Sequence, residues 1–497
     1  MELQFQNKSL DCLRSILCCV KSQEQTQEMK LPEAMPDVAK VLGAWGQCVL
    51  RSKEWHNGRM SISGGVMAWV LYEPEDGSFP RVLEAWLPYQ LQWDLPQTQR
   101  DGTILVQPVL RRVDARVTSA RKLMLRTCVE ALGEALEPVR LDIFQPEKVP
   151  ESLCLLKKNY PVLIPVEAGE KTFHMEEELQ LPGDCTDGTK LIHYSLHPQI
   201  TEQKMVGNRL LLRGTAVLQG LCRGPEENLR SFSYEIPMSA YAELEPELGE
   251  GATAQVIPAV TELELEVMEQ GKLRLNASVV GQYLVCVRKL LELVEDAYQP
   301  GAKTQLQTQT LQIPAILEME HHPIRVEANQ DFPAGEILDV TLQAGQPELS
   351  RGSAEIRVQL SGVFQILYRD EGQVLQSAVL PWEQAQTLSA DTAAQLCICA
   401  QQGEQPDCSR SGSSIQACGT LFLQQKAISA GDISMVTGVE VTEESAADRP
   451  SLILRRAEGE TLWEIAKACG STEAAICQAN GLTQAPEPNR ILLIPVV

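Results

Sequence analysis

Ile62-Ser63-Gly64-Gly65-Val66-Met67-Ala68-Trp69-Val70-Leu71-Tyr72 decides how the body of this chain folds. It alternates around small residues, closes on a hydrophobic triplet and runs into the turn Glu73-Pro74-Glu75-Asp76-Gly77. A period-two pattern bounded by turn residues reads as a strand. The pattern returns at Leu212-Arg213-Gly214-Thr215-Ala216-Val217-Leu218-Gln219-Gly220-Leu221-Cys222 and at Val358-Gln359-Leu360-Ser361-Gly362-Val363-Phe364-Gln365-Ile366-Leu367-Tyr368. Cys222 replaces the terminal tyrosine in the second copy, and Leu360 stands where the others have Gly64 and Gly214. Each copy leads into another strand that reaches a proline, at Pro88, Pro237 and Pro381. These pairs read as antiparallel hairpins, with the proline expected to end ladder pairing.

Further outward, a Leu-Pro element precedes the first two copies (Leu31-Pro32, Leu181-Pro182), and Phe332-Pro333 takes its place in the third. The period is about 150 residues, which is a whole-domain repeat rather than a solenoid. The pair Thr261–Val267 and Leu273–Val279 is split by a hairpin turn at Met268–Lys272. The expected fold is therefore mainly β: three tandem sandwich or barrel-like domains, solvated on their outer faces. The domains fall at 1–150 (with an N-terminal helical segment), 151–300 and 301–445. Polar, proline-bearing linkers are expected at 137–150, at 299–304 and at 442–450, the last as a flexible tether.

The tether leads to a unit of another kind at 450–497. Leu452-Ile453-Leu454 and Ile491-Leu492-Leu493-Ile494 read as strands flanking two short helices. Thr461 and Glu464 have capping-box spacing. Leu462, Ile465, Ala466 and Cys469 follow the helical period of a buried face. Gly470 suits the end of this helix and Ser471 the cap of the next.

This strand–helix–helix–strand unit resembles the LysM module, a small α+β fold that mostly binds cell-wall glycan. The resemblance implies a shallow groove between two loops. By position these are Gly459, Glu460 and Thr461 on one side, and Asn480, Gly481, Asn489, Arg490 and Ile491 on the other. Trp463 has two readings, as module core or as an interface anchor at the groove. The resemblance puts Asn489 where the family usually has glycine, a left-handed turn position that asparagine tolerates, and Pro486 and Pro488 are expected to stiffen the second loop. The larger repeat resembles the SPOCS domain of spore-coat proteins, through its Leu-Pro start, the strand closing on Leu71-Tyr72 or Leu367-Tyr368, and the hairpin that follows. Tandem SPOCS-like domains ahead of one LysM resemble the SipL-like coat morphogenetic family. That implies a scaffold in the mother-cell cytoplasm, at the forespore surface, docking onto the spore coat protein SpoIVA. The alternative is a peptidoglycan-binding protein of spore cortex or cell wall.

Composition narrows the classes further. The 497 residues are 44% hydrophobic, enough for packed cores, and carry a net charge of −23. Such acidity disfavours nucleic acid and anionic lipid as partners. The opening residues lack the basic start and apolar run of a signal peptide, and no apolar run is long enough to span a membrane as a helix, so a cytosolic location is expected. The 15 cysteines are odd in number and irregularly spaced. They read mainly as small buried hydrophobes, with later cross-linking as the functional alternative. P-loop, nucleophile-elbow and zincin motifs are absent, so no enzyme activity, cofactor or metal is expected. His193 and His197, four apart, lack an acidic or cysteine partner at ligand spacing; Cys397 and Cys399 with Cys408 and Cys418 are the best metal candidate, though the first two share one side of a strand where zinc sites usually use a C-x₂₋₄-C turn. His321-His322 reads as a solvated loop.

Overall fold

The computed structural model describes residues 2–497 except 97–100, 184, 245–250, 333–334, 353–354, 389–394, 413, 429–431, 444–449 and 483–488. A short β1 (Glu2–Leu3) precedes the first repeat, which comprises β2 (Phe5–Lys30), β3 (Val38–His56), β4 (Arg59–Pro74), β5 (Arg81–Asp94), β6 (Thr103–Ser119) and β7 (Lys122–Pro146). The second comprises β8 (Cys154–Gln180), β9 (Lys190–Val206), β10 (Arg209–Arg223), β11 (Leu229–Glu243), β12 (Ala252–Val267) and β13 (Lys272–Tyr298). The third comprises β14 (Ala302–Gln312), β15 (Ile316–Asp331), β16 (Glu336–Ala344), β17 (Glu348–Arg351), β18 (Ile356–Arg369), β19 (Leu375–Leu388), β20 (Gln395–Gln402), β21 (Asp407–Ser411), β22 (Ser414–Ile428) and β23 (Asp432–Glu443).

One plan recurs. A three-stranded meander carries the diagnostic strand at its centre: β3-β4-β5, β9-β10-β11, and β16-β18-β19, with β17 also paired to β18. Opposite it, in the first two repeats the first strand pairs with the last, and the last with the one before: β2-β7-β6 and β8-β13-β12; in the third these long strands are each split in two, β14 pairing with β23 and β15 with β22, which also pairs with β20 and β21. The fold is thus mainly β, as the alternating sequence requires, and the 261–279 hairpin turns at Glu269–Gly271 as expected. The Leu-Pro element closes each of the first two units: Leu31 and Leu181 are buried, and their N–H groups donate to Arg121 O (3.0 Å) and Gly271 O (2.9 Å) in the turn between the last two strands.

Several local expectations are corrected. The N-terminal segment is strand rather than helix, because Phe5–Lys30 pairs along its length with β7, from Phe5↔Pro146 to Lys30↔Lys122. The first linker largely disappears into β7, which continues to Pro146. Pro88, Pro237 and Pro381 do not end their strands, which run on to Asp94, Glu243 and Leu388. All three strands are outer members of their meanders, where the missing N–H costs no ladder bond. His321 and His322 lie in β15, paired with Gln424 and Leu423, rather than in a loop. Of the tether expected at 442–450, Thr442 and Glu443 belong to β23, and 444–449, like Pro333, Pro486 and Pro488, lie outside the described residues.

The meanders are not solvated on their outer faces throughout. Val66, Ala68, Val70 and Tyr72 face the core of the first repeat, while the alternate Trp69 and Leu71 are also buried, in the core of the second. The three repeats converge in register. Gly43, His193 and Asp339 oppose the equivalent Leu71, Leu221 and Leu367. There His193 Nε2 meets Asp339 Oδ2 at 3.0 Å, and the Trp45 ring stacks on His193 at 4.4 Å. One step along, Gln47, His197 and Gln343 line a shared cavity of about 130 Å³ with Pro108, Pro258 and Gln402. Between the first and third repeats, Lys426 Nζ bridges both Glu134 oxygens at 2.7 and 2.5 Å with both side chains buried. Cys18 is disulfide-bonded to Cys397 across the same boundary.

Candidate functional site

The C-terminal unit contains β24 (Leu452–Arg456), α1 (Leu462–Cys469), α2 (Glu473–Asn480) and β25 (Ile491–Pro495). Thr461 opens α1 in extended backbone. Its hydroxyl accepts from Glu464 N (3.2 Å), and its own N–H donates to Glu464 Oε2 (2.8 Å). This capping box satisfies two amide groups that the first helical turn would otherwise leave unpaired. Those bonds also hold the Glu464 carboxyl below the usual carboxylate range. Gly470 ends the helix at φ 67°. The cap of α2 is Thr472, not Ser471. Ser471 is buried instead, its carbonyl accepting the Tyr298 hydroxyl at 3.0 Å.

The antiparallel pair β24–β25 registers Leu452↔Pro495 to Arg456↔Ile491. Its inner face supplies Leu492 and Ile494 to a core with Ala457, Ile465, Ala466 and Ile476. Two loops meet at one end of this pair. Ala457 N donates to Arg490 O (2.9 Å) and Asn489 N to Ala457 O (2.7 Å), pinning the second loop to the first. Asn489 takes the left-handed conformation expected of it, φ 68°.

Most of the expected groove residues are brought together here with accessible surfaces. Gly459, Thr461, Gly481, Asn489, Arg490 and Ile491 are exposed, and Glu460 is half-buried in an ion pair with Arg455 at 2.6 Å. Arg490 Nη2 donates to Asn480 O at 3.2 Å, which ties the end of α2 to the second loop. The Asn480 side chain itself is committed to framework bonds: it donates to Ile476 O and Leu493 O and accepts from Leu493 N. It braces α2 against β25.

Trp463 is not in the groove. It is buried against the body, Nε1 donating to Asp296 Oδ2 at 2.8 Å and its ring edge-on to Tyr298 at 4.8 Å. Lys467 Nζ adds contacts of 2.7 Å to both oxygens of Asp296. A helix thus buried on two faces explains why Trp463 lies outside the expected apolar stripe. Asp296 and Tyr298, at the end of β13, seat this unit on the β body, a contact the sequence reading did not include. Nothing local to them signals a partner so far along the chain.

The other clusters do not assemble as metal sites. His193 and His197 lie on β9, and residues four apart along a strand are about 13 Å apart. Cys397 is bonded to Cys18, removing it from any set with Cys399, Cys408 and Cys418. Burial pushes the thiols of Cys12, Cys48, Cys286 and Cys399 up to about 12, so they stay protonated. Among the described residues no helix is long and apolar enough to cross a membrane.

No curated protein and no solved structure matches the chain. A family match coincides with the unit whose caps, core and paired loops are described above: residues 457–495 form a LysM domain.

Proposed function

We propose that this protein is a non-enzymatic scaffold that uses its LysM domain as a docking end. One observation carries the reading. The domain is sealed to the β body through Asp296, Trp463, Lys467 and Tyr298, and presents its paired loops to solvent. A rigidly mounted recognition surface suits assembly, since little orientational freedom is lost on binding.

For the ligand we favour a protein, SpoIVA, in spore-coat assembly on the mother-cell side of the forespore. Two things support this: the resemblance of the tandem repeats to SPOCS domains, and the aliphatic surface beside the groove. Leu452, Leu454 and Ile491 share the outer face of β24–β25 and are 46%, 69% and 60% exposed. A grouped apolar patch of this kind is typical of protein interfaces. The second reading is an N-acetylglucosamine glycan such as peptidoglycan, the ligand class that a LysM domain suggests.

Full-length protein and its Ile491→Asp variant, tested for binding to SpoIVA and for co-sedimentation with insoluble peptidoglycan, separate the two. The favoured reading expects saturable SpoIVA binding that the variant loses. Saturable peptidoglycan binding without SpoIVA binding would replace it with the glycan reading.

A further inference from the structure

The loop that leads into each repeat's meander is held beneath the end of the diagnostic strand, at one equivalent position: Tyr72, Cys222 or Tyr368. In the first repeat, buried Tyr72 donates its hydroxyl to Pro36 O at 3.2 Å. In the third, the Tyr368 ring packs on Phe332 with centroids 4.9 Å apart. The tyrosine spans the gap between strand and loop in both. In the second repeat Cys222 is too short to do so, and the gap is met from the other side by Cys185. Cys185 occupies the loop position of Met35: each donates its N–H to the proline carbonyl three residues back, Pro182 (2.8 Å) and Pro32 (2.9 Å). The two sulfurs lie 3.3 Å apart, and both residues are buried, at 2% and 0% exposure. Cys222 Sγ also approaches Arg230 O at 3.4 Å.

We propose that Cys185 and Cys222 form a closable covalent latch in place of the tyrosine, and that a small diffusible disulfide of the glutathione class closes it. A disulfide bond is about 2.05 Å long, so closure needs the sulfurs to approach by little more than 1 Å. Exposed Gly183, Thr186, Asp187 and Gly188 flank Cys185, so displacement of this short loop uncovers its thiol. The Cys185 thiol loses its proton and its sulfur attacks the small disulfide, forming a mixed disulfide and releasing one small thiol. The Cys222 sulfur, likewise deprotonated, then attacks the Cys185 sulfur and expels the second small thiol. The protein gives up two electrons and two protons, and the small disulfide is reduced to two thiols.

The test uses the full chain, reduced and then equilibrated with oxidised and reduced glutathione, quenched with N-ethylmaleimide and mapped by peptide mass spectrometry. Cys185 and Cys222 are expected in one linked peptide pair, with loss of both alkylation adducts, while Cys12 and Cys48 remain alkylated on denaturation. In the Cys222→Ser variant, Cys185 should accumulate as the glutathione adduct. Alkylation of both Cys185 and Cys222 across the whole redox range would overturn the latch. So would a glutathione adduct that persists on wild-type Cys185.

Discussion

His197 shows how the interior treats one titratable side chain. Its Nε2 contacts Ser195 Oγ at 2.9 Å and Gln219 Nε2 at 3.1 Å, and a donor from Gln219 onto that nitrogen fits a neutral ring. Burial pushes its pKa down from 6.5 to about 4. The unfolded chain therefore takes up a proton that the folded protein refuses between those values. Stability from this group is full above pH 6.5, declines as pH falls, and levels off below about 4. The loss amounts to at most about 3 kcal/mol. Urea unfolding at pH 7 and pH 5 checks this: His197→Gln should shrink the stability difference between the two conditions. An unchanged difference would assign the slope to other groups. Glycine gives a second residue-scale case. A Cβ on Gly64 or Gly214 would lie 2.0 Å from Val49 O or 1.9 Å from Gln199 O across the bulged ladder. In the third repeat the equivalent close approach falls on Gly362, 2.1 Å from Gln343 O, two residues further on. A shift of two keeps the same face, so Leu360 is accommodated without loss of the strand.

At the scale of single elements, α1 illustrates what local chemistry can decide. Its cap, its acidic first turn and its glycine stop were all legible, because each is set by residues within a few positions. Thr461→Ala should cost the helix about 1 kcal/mol. Faster amide exchange in α1, with β24–β25 pairing intact, would confirm it. Exchange unchanged from wild type would show that docking on Asp296, not the cap, holds the first turn. The edge strands teach the converse. Pro88, Pro237 and Pro381 looked like terminators, yet proline breaks a ladder only where its N–H is wanted. Whether a strand sits at an edge depends on neighbours that the strand itself does not encode. The same holds for Phe5–Lys30, where a helical segment was expected and β7 instead supplies a strand partner along its whole length.

For the molecule as a whole, three units of one plan pack together by divergence at equivalent places. Gly43, His193 and Asp339 stand in register: a Cβ on Gly43 would lie 2.4 Å from the Trp45 ring, so its absence admits the indole that stacks on His193, while His193 pairs with Asp339. Lys426 and Glu134 make a second inter-repeat contact, at 1% and 3% side-chain exposure. Removing one partner strands a charge in the interior, so Glu134→Ala should destabilise the protein by about 3–5 kcal/mol. The paired replacement Glu134→Leu with Lys426→Met should recover most of that loss, since apolar side chains of similar size need no compensation. Denaturant unfolding of the three proteins measures it. A double variant as unstable as the single one would mean that the pair acts through packing rather than charge.

By itself the sequence determined the β character, the tandem plan and the LysM unit with its helix cap, because alternation, turns and caps act between near neighbours. Only the tertiary structure decided which faces of the meanders are buried, where Trp463 points, and that Asp296 and Tyr298 receive it. The reason is physical. Duplicated strands carry almost the same local pattern, so nothing within them says which copy's face meets which. That is settled by complementary shape and charge between residues brought together from distant parts of the chain.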